Sequence, residues 1–350
     1  MIPLSVLDLA TVTQGSTPAD ALRATTEMAV RAEQLGYHRF WVAEHHAMAA
    51  VASSAPAVLI AHLASATTSL RLGSGGVMLP NHAPLVVAEQ FATLEALHPG
   101  RIDLGLGRAP GTDRITARAL RRDGDLSATT FPHDVVELIN YLLPQSAPAH
   151  PAPTPGAGYL PDVWLLGSST FSAQLAGQLG LPFSFAYHFA PELLDQAVEM
   201  YRSHFQPSRF LEYPYLMVAA SVICADDDDR ARWLAGSSAL NLLERAKGHP
   251  GPLPSPETAA QVEMSEAEAQ HINQALASHY IGSPESVREG LTQLYERTRC
   301  DEIMVSTRIH SVKERQRSLE LVAREWGLNA VSDANAGASP VALRAPNSLL

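Results

Sequence analysis

Residues 39–48 read RFWVAEHHAM. A mostly apolar run delivers Glu44, His45 and His46 one after another, and a carboxylate with two imidazoles can serve three ends. They can ligate a metal, move a proton, or mark the point where a strand meets water. Adjacent residues on an extended chain point to opposite sides, so His45 and His46 rarely reach one ion. No cysteine joins them, and no second His/Asp pair with ligand spacing is apparent, so no metal is expected. An imidazole titrates near pH 6.5 in its ordinary state, which suits proton transfer near neutrality. On these residues alone the acid/base and surface readings both stand.

Other polar groups occupy equivalent places after apolar runs. Asp8 ends the first. Asn81 and His82 follow the third, and Arg108 the fourth. Ser168, Ser169, Thr170 and Ser172 follow the fifth, and Tyr187 and His188 the sixth. Arg108 and the serines suggest an anion. GSSTFSAQLAGQLG begins as a turn and continues as a helix, whose first-turn N–H groups and dipole favour a phosphate. Serine hydroxyls add donors and Arg108 a charged fork, although a serine at a helix start is commonly just a cap. GSGG at 73–76 lies within a strand, where glycines indicate a barrel bulge or the close approach of a backbone or flat ligand. A glycine floor, a phosphate pocket and a nearby imidazole together fit flavin mononucleotide (FMN).

The elements that must position these groups alternate. Short β-rich runs at 3–8, 38–43, 70–79, 101–107, 163–167, 183–187, 216–225 and 302–306 are separated by amphipathic stretches. One helix opens at Thr17-Pro18 and ends before Gly36. Others are expected near 54–67, 84–100, 133–143, 170–179, 191–204, 227–248, 265–279 and 284–298. Eight such units predict an α/β fold, a (β/α)8 TIM barrel with insertion loops, whose catalytic groups gather at the strand C-terminal ends. The Pro/Gly-rich stretch 144–162 reads as a loop over the barrel, and a second irregular stretch, 248–261, precedes the last two of these helices. The domain reading is one barrel over 1–327 and a poorly ordered tail over 328–350. A doubly wound sheet would carry Gly-x-Gly-x-x-Gly, but GLGRAPG puts Pro110 at the third position.

The 350 residues are 46% hydrophobic and 17% charged, enough for a large core. A net charge of −11 disfavours nucleic acid and anionic membranes as partners. Cys224 and Cys300 are too few for a disulfide framework and read as buried thiols. No basic, apolar leader opens the chain, and no run reaches the roughly 18 to 20 apolar residues that span a bilayer, so a cytoplasmic location is expected.

YHRFWVAEHH, LRLGSGGVMLPNHAPLVVAEQFATLEALHPGRIDLGLGRAPGTD and VWLLGSSTFSAQLAGQLGLPF resemble the bacterial luciferase-like flavin-dependent monooxygenases, in their alkanal-monooxygenase-like, single-chain branch. The resemblance spans about residues 3 to 327. It implies the luciferase-like barrel, FMN in reduced form as co-substrate, and O2. By position it makes His45 the active-site histidine, preceded by Glu44, and Arg108 the phosphate-binding arginine. Ser169 and Ser172, beside Ser168, match the hydroxyl residues at the phosphate-binding helix. Gly75-Gly76 falls where the family often has a non-proline cis peptide against the flavin ring. Two departures argue against light emission. Luciferase catalytic subunits carry a reactive cysteine where this chain has Gly107, and their long lid has no obvious counterpart after the seventh strand.

The expected function is therefore a flavin-dependent monooxygenase acting through a flavin C4a-peroxide on an aldehyde or an aromatic, natural-product type of substrate. Reduced FMN would come from a separate NAD(P)H:flavin reductase, since the chain has no dinucleotide fingerprint. Met78, His82, Tyr187 and His188 are expected to line the substrate pocket, with Phe40, Trp41 and Phe189 as further wall candidates, and the barrel is expected to pair as a homodimer. The alternatives are an F420-dependent oxidoreductase on the same fold, a non-catalytic flavin-binding protein, and a metal-dependent barrel hydrolase.

Overall fold

A computed structural model describes residues 2–108, 114–120, 130–144 and 151–329. The chain begins with β1 (Leu4–Asp8), α1 (Pro18–Leu35), β2 (Arg39–Val42) and α2 (Pro56–Ala66). It continues through β3 (Arg71–Ser74), β4 (Val77–Met78), α3 (Pro84–Leu97), β5 (Ile102–Gly107), α4 (Arg114–Leu120) and α5 (Phe131–Leu142). Next come β6 (Asp162–Gly167), α6 (Thr170–Leu179), β7 (Phe183–Ala186), α7 (Leu194–His204), β8 (Leu216–Cys224) and α8 (Asp228–Ala246). The last are α9 (Pro256–Ala260), α10 (Glu266–Leu276), β9 (Tyr280–Gly282), α11 (Pro284–Thr298), β10 (Glu302–Ser306) and α12 (Val312–Trp326).

Local chemistry explains the helix limits. Thr17 and Asp20 form a capping box at the start of α1, and Gly36 ends it in the left-handed region at φ 82°. The strands run parallel in the order β10-β1-β2-β3-β5-β6-β7-β8, and β8 pairs with β10 to close an eight-stranded barrel. β4 continues β3 beyond a break at Gly75-Gly76 and pairs with β5, while β9 extends the edge of β8. This is the expected (β/α)8 barrel. The tail from 330 and residues 145–150 of the expected loop lie outside the described residues.

One expectation changes. The stretch at 248–261 contains the short helix α9, started by Ser255 as cap and Pro256. The segment after the seventh barrel strand, β8, is an excursion of α8, α9, α10 and β9 on the mouth side before α11 returns to the barrel wall. Of these, α8 and α10 are the helices expected near 227–248 and 265–279.

Side chains alternate along each strand. Phe40, Leu72, Leu104, Leu165, Phe183, Val218 and Ile303 face outward into the layer shared with the helices. Leu7, Trp41, Trp164, Met217 and Met304 face inward. Trp41 and Trp164 meet edge to face at 5.2 Å, and Trp164 meets Tyr215 at 5.5 Å, so aromatic rings fill the middle of the barrel.

Below them, charged residues from the strand starts close the floor. Arg39 binds Asp103 at 2.7 Å and Glu302 at 2.8 Å. Arg71 binds Asp103 at 2.5 Å and Asp162 at 2.7 Å, and the Trp41 indole donates to Asp103 at 2.8 Å. Burial would raise the Asp103 pKa, but the charges of Arg39 and Arg71 and the bonds from Trp41 and Arg71 lower it instead. Both cysteines are free and buried, and burial pushes the Cys224 thiol up to about 12. Among the described residues no helix is long and apolar enough to cross a membrane.

Candidate active site

The mouth of the barrel is built where β3 breaks. The Gly75-Gly76 peptide is cis. A Cβ on Gly75 would lie 2.7 Å from Leu7 Cδ1, and one on Gly76 would lie 2.7 Å from the Gly105 carbonyl oxygen. Close approach within the barrel therefore demands both glycines. Gly73 has a different occupant from the flat ligand its run suggests. A Cβ there would lie 2.5 Å from Trp41 Nε1, so the space belongs to the chain's own indole. Inward positions nearest the mouth are small. Gly107, Ala186, Ala219 and Ser306 alternate with the outward Leu106, Phe185, Val218 and Val305, so short side chains form the cup of the mouth above the tryptophans.

Glu44 sits on the turn after β2, fully buried. Its Oε1 accepts from Nε2 of both His46 and His82, each at 2.8 Å, and its Oε2 accepts from the Met78 backbone N–H at 3.1 Å. Burial favours the neutral acid, but these donors, His82 first, outweigh it and hold the pKa below the ordinary value. A carboxylate only accepts, so the two facing imidazole nitrogens carry protons. Ligand atoms of Glu44, His46 and His82 lie within 4.8 Å of one another, so among the described residues this is a group at the mouth that could take a divalent cation in exchange for the two imidazole protons.

No second His/Asp pair is involved, but a lone His82 joins Glu44 and His46. Alternation does separate His45 from His46, but it puts Glu44 and His46 on one side, and His82 arrives from the neighbouring strand end. The i, i+2 spacing of Glu44 and His46 was the available signal. His45 is half-buried and donates its backbone N–H to the Ser53 carbonyl at 2.9 Å.

Arg108 follows β5, and its guanidinium carbon lies 4.4 Å from the ring centre of Phe171, the second residue of α6. The structure thus brings the arginine to the start of that helix. Ser169 is the N-cap but makes no side-chain capping bond. Ser168 is exposed, and Ser172 is buried against Gly167, where a Cβ would lie 2.6 Å from the Ser172 Cβ. Met78 pairs in register with Gly107. A line of neighbours therefore crosses the rim from Glu44 through Met78 and Gly107 to Arg108 and α6.

Other expected pocket residues divide. His82 and Met78 belong to the rim just described. His188 also lies at the mouth, where its Nδ1 donates to the Ala219 carbonyl at 2.9 Å and burial lowers its pKa, which leaves the ring neutral. Tyr187 does not line the cup. It continues the outward positions Phe183 and Phe185 and stacks on Tyr280 at 6.4 Å. Phe40 is outward core, Trp41 is interior filling, and Phe189 is exposed beside the His188 ring. Asp8 turns outward as well. It accepts from Thr25 Oγ1 at 2.8 Å and the Ala10 N–H at 2.6 Å, and it pairs with Arg315 of α12.

Comparison with known proteins places this geometry. The family profile described as luciferase-like monooxygenase matches residues 2–302. A luciferase-like monooxygenase of Escherichia coli (strain K12) is 48% identical over 320 residues, covering 91% of this chain and 96% of that one. The crystal structure of apo-MsnO8 is similar with a TM-score of 0.86 at 35% identity, over 94% of this chain and 99% of that one. Two more distant structures share the fold alone. One is the oxygenating constituent of 3,6-diketocamphane monooxygenase of Pseudomonas putida in complex with FMN, at TM-score 0.67 and 17% identity over 93% of this chain and 97% of that one. The other is an F420-dependent secondary alcohol dehydrogenase with an F420-acetone adduct, at TM-score 0.63 and 16% identity over 92% and 97%.

Proposed function

The chain belongs to the luciferase-like monooxygenase family, and from that premise we propose that it is a flavin-dependent monooxygenase using reduced FMN and O2 on a small organic substrate. The observation that carries the reading is the line of neighbours across the rim, which joins a cation at a helix start to a carboxylate held by two imidazoles.

The residues suit FMN. The first-turn N–H groups of α6 and the Arg108 guanidinium match a dianionic phosphate. The side-chain-free Gly75-Gly76 step and the small residues of the cup leave space for a flat ring. When bound in reduced form, FMN supplies the two electrons that let one atom of O2 enter the substrate while the other leaves as water. Ser168, Ser169 and Ser172 add hydroxyls near the phosphate. Glu44 holds His46 and His82 in place. His45, on the same turn, donates or accepts the proton at a ring nitrogen during oxygen transfer. The tryptophan layer beneath the cup excludes water from below.

Reduced flavin comes from a separate reductase in this reading. The protein is a homodimer in the same reading, supported by the apolar side chains that α2 and α3 leave exposed at Val58, Val86 and Leu97.

Anaerobic titration with reduced FMN and with reduced F420 tests the cofactor. Mixing with isotopically labelled O2 and a panel of aldehydes and aromatics, read by mass spectrometry, tests the chemistry. Reduced FMN is expected to bind and label is expected in a product. His45→Ala is expected to keep flavin binding and lose the label. Binding of F420 with none of FMN would make the protein an F420 oxidoreductase, and FMN binding without labelled product would make it a flavin carrier.

A further inference from the structure

On the arc of the mouth opposite Arg108, around β8 and β10, three side-chain atoms are buried with no hydrogen-bond partner. They are Thr307 Oγ1, Arg308 Nε and His279 Nδ1. Barrel closure assembles them. Thr307 and Arg308 follow β10 directly, and His279 precedes β9. β10 pairs with β8 as far as Ser306 opposite Ser221, and β9 takes up the pairing on the other side of β8 with Tyr280 opposite Val222. The residues just beyond both strands thus sit at one height, together with His188, which bonds to Ala219 of β8 through both its N–H and its Nδ1.

Arg308 is the unusual member. Its Nη2 donates to Asn241 Oδ1 at 2.9 Å, and its carbonyl accepts from Ser238 Oγ at 2.9 Å, so α8 lies over it. Among the described residues no carboxylate pairs with it. Burial first, and then the positive charge of Arg245, lower its pKa to about 10, which still leaves it cationic at neutral pH. His279 is neutral there, since burial, with help from His188 and Arg308, lowers its pKa to about 4. A guanidinium withdrawn from water with no counter-charge is costly unless a ligand supplies the charge. The flanking hydroxyl of Thr307 and the ring of His279 are the neutral hydrogen-bonding groups such a ligand would use. The Arg108 and α6 site stands at β5 and β6, well separated around the barrel, so the two cationic sites address different groups.

We propose that Arg308, with Thr307 and His279, anchors a carboxylate on the substrate, so that the protein acts on small molecules with an apolar reacting end and an acidic tail. The inference rests on the flavin reading for its chemistry but not for its binding. A planar carboxylate matches the guanidinium fork, and the small inward residues beside it leave space for an apolar stem.

The test uses the whole protein and three probes: hexanoate, its neutral analogue hexanamide, and inorganic phosphate. Calorimetric titration is run on wild type and on Arg308→Gln, with and without FMN. Hexanoate is expected to bind wild type roughly 10- to 100-fold tighter than hexanamide, the range of a charge-assisted bond. Arg308→Gln is expected to abolish that preference, to leave hexanamide and FMN binding unchanged, and to melt no lower than wild type, because it removes an uncompensated charge. Equal binding of the two hexyl probes by wild type overturns the proposal, whatever the variant does. Loss of FMN or phosphate binding in the variant overturns it in favour of a cofactor tail, and a large fall in melting temperature overturns it in favour of a structural pin for α8. If FMN fails to bind while the Arg308-dependent preference persists, the flavin reading falls and the carboxylate site stands.

Discussion

The two ends of the barrel handle buried charge in opposite ways. At the floor, Arg39 lies between Asp103 and Glu302, and Arg71 lies between Asp103 and Asp162. The Arg39 Nη2 finds no oxygen, but the guanidinium stacks 4.8 Å from the Trp164 ring. At the mouth, Arg308 has an amide for its partner, and Glu44 is met by imidazoles and a backbone N–H. Charges matched within the fold hold it together and have nothing left to offer a ligand. Charges matched by weak or titratable partners can exchange those partners for a ligand. Conserving such a difference across one barrel separates a stability end from a chemical end, as parallel barrels generally do.

The comparison is broken most severely at the floor. Asp103→Ala strands two buried arginines and is expected to cost about 3–5 kcal/mol, read by chemical denaturation. A loss below about 1 kcal/mol would mean that the floor network is not what holds the barrel closed. At the mouth, Arg108→Ala is expected to weaken reduced-FMN binding by about 1.5–3 kcal/mol with little change in melting, as measured by anaerobic titration. The smallest effect concerns Glu44. Its folded-state pKa lies below the ordinary 4.5, so the carboxylate stabilises the fold above that value, and the contribution is lost as pH falls through the folded-state value. Glu44→Gln is expected to be about 1 kcal/mol less stable than wild type at neutral pH, and the gap is expected to close below about pH 4.5. A gap that widens in acid would reverse the sign assigned here.

The mouth was more legible in the sequence than the floor. Parallel barrel strands are continuous apolar runs, so each announces its end, and polar residues just past those ends are candidates by position alone. Arg108 and His82 emerge that way. Arg308 follows the last strand in the same manner and could have been found by carrying the rule to β10. Tyr187 fails the rule because the two-residue period of Phe183 and Phe185 turns it outward. The floor is silent for a physical reason. Arg39, Arg71, Asp162 and Glu302 each begin a strand, and Asp103 is one residue into its own. Charges at such positions look like solvent edges until the barrel closes and sets them against one another. Gly73 shows the same limit, since only the closed barrel reveals that its missing side chain is filled by Trp41.

The interlocked rings of Trp41, Trp164 and Tyr215 make the barrel a blind vessel. Whatever enters through the strand C-terminal ends must return by the same doorway. A ligand lodged against the tryptophans would therefore leave only past whatever stood nearer the rim.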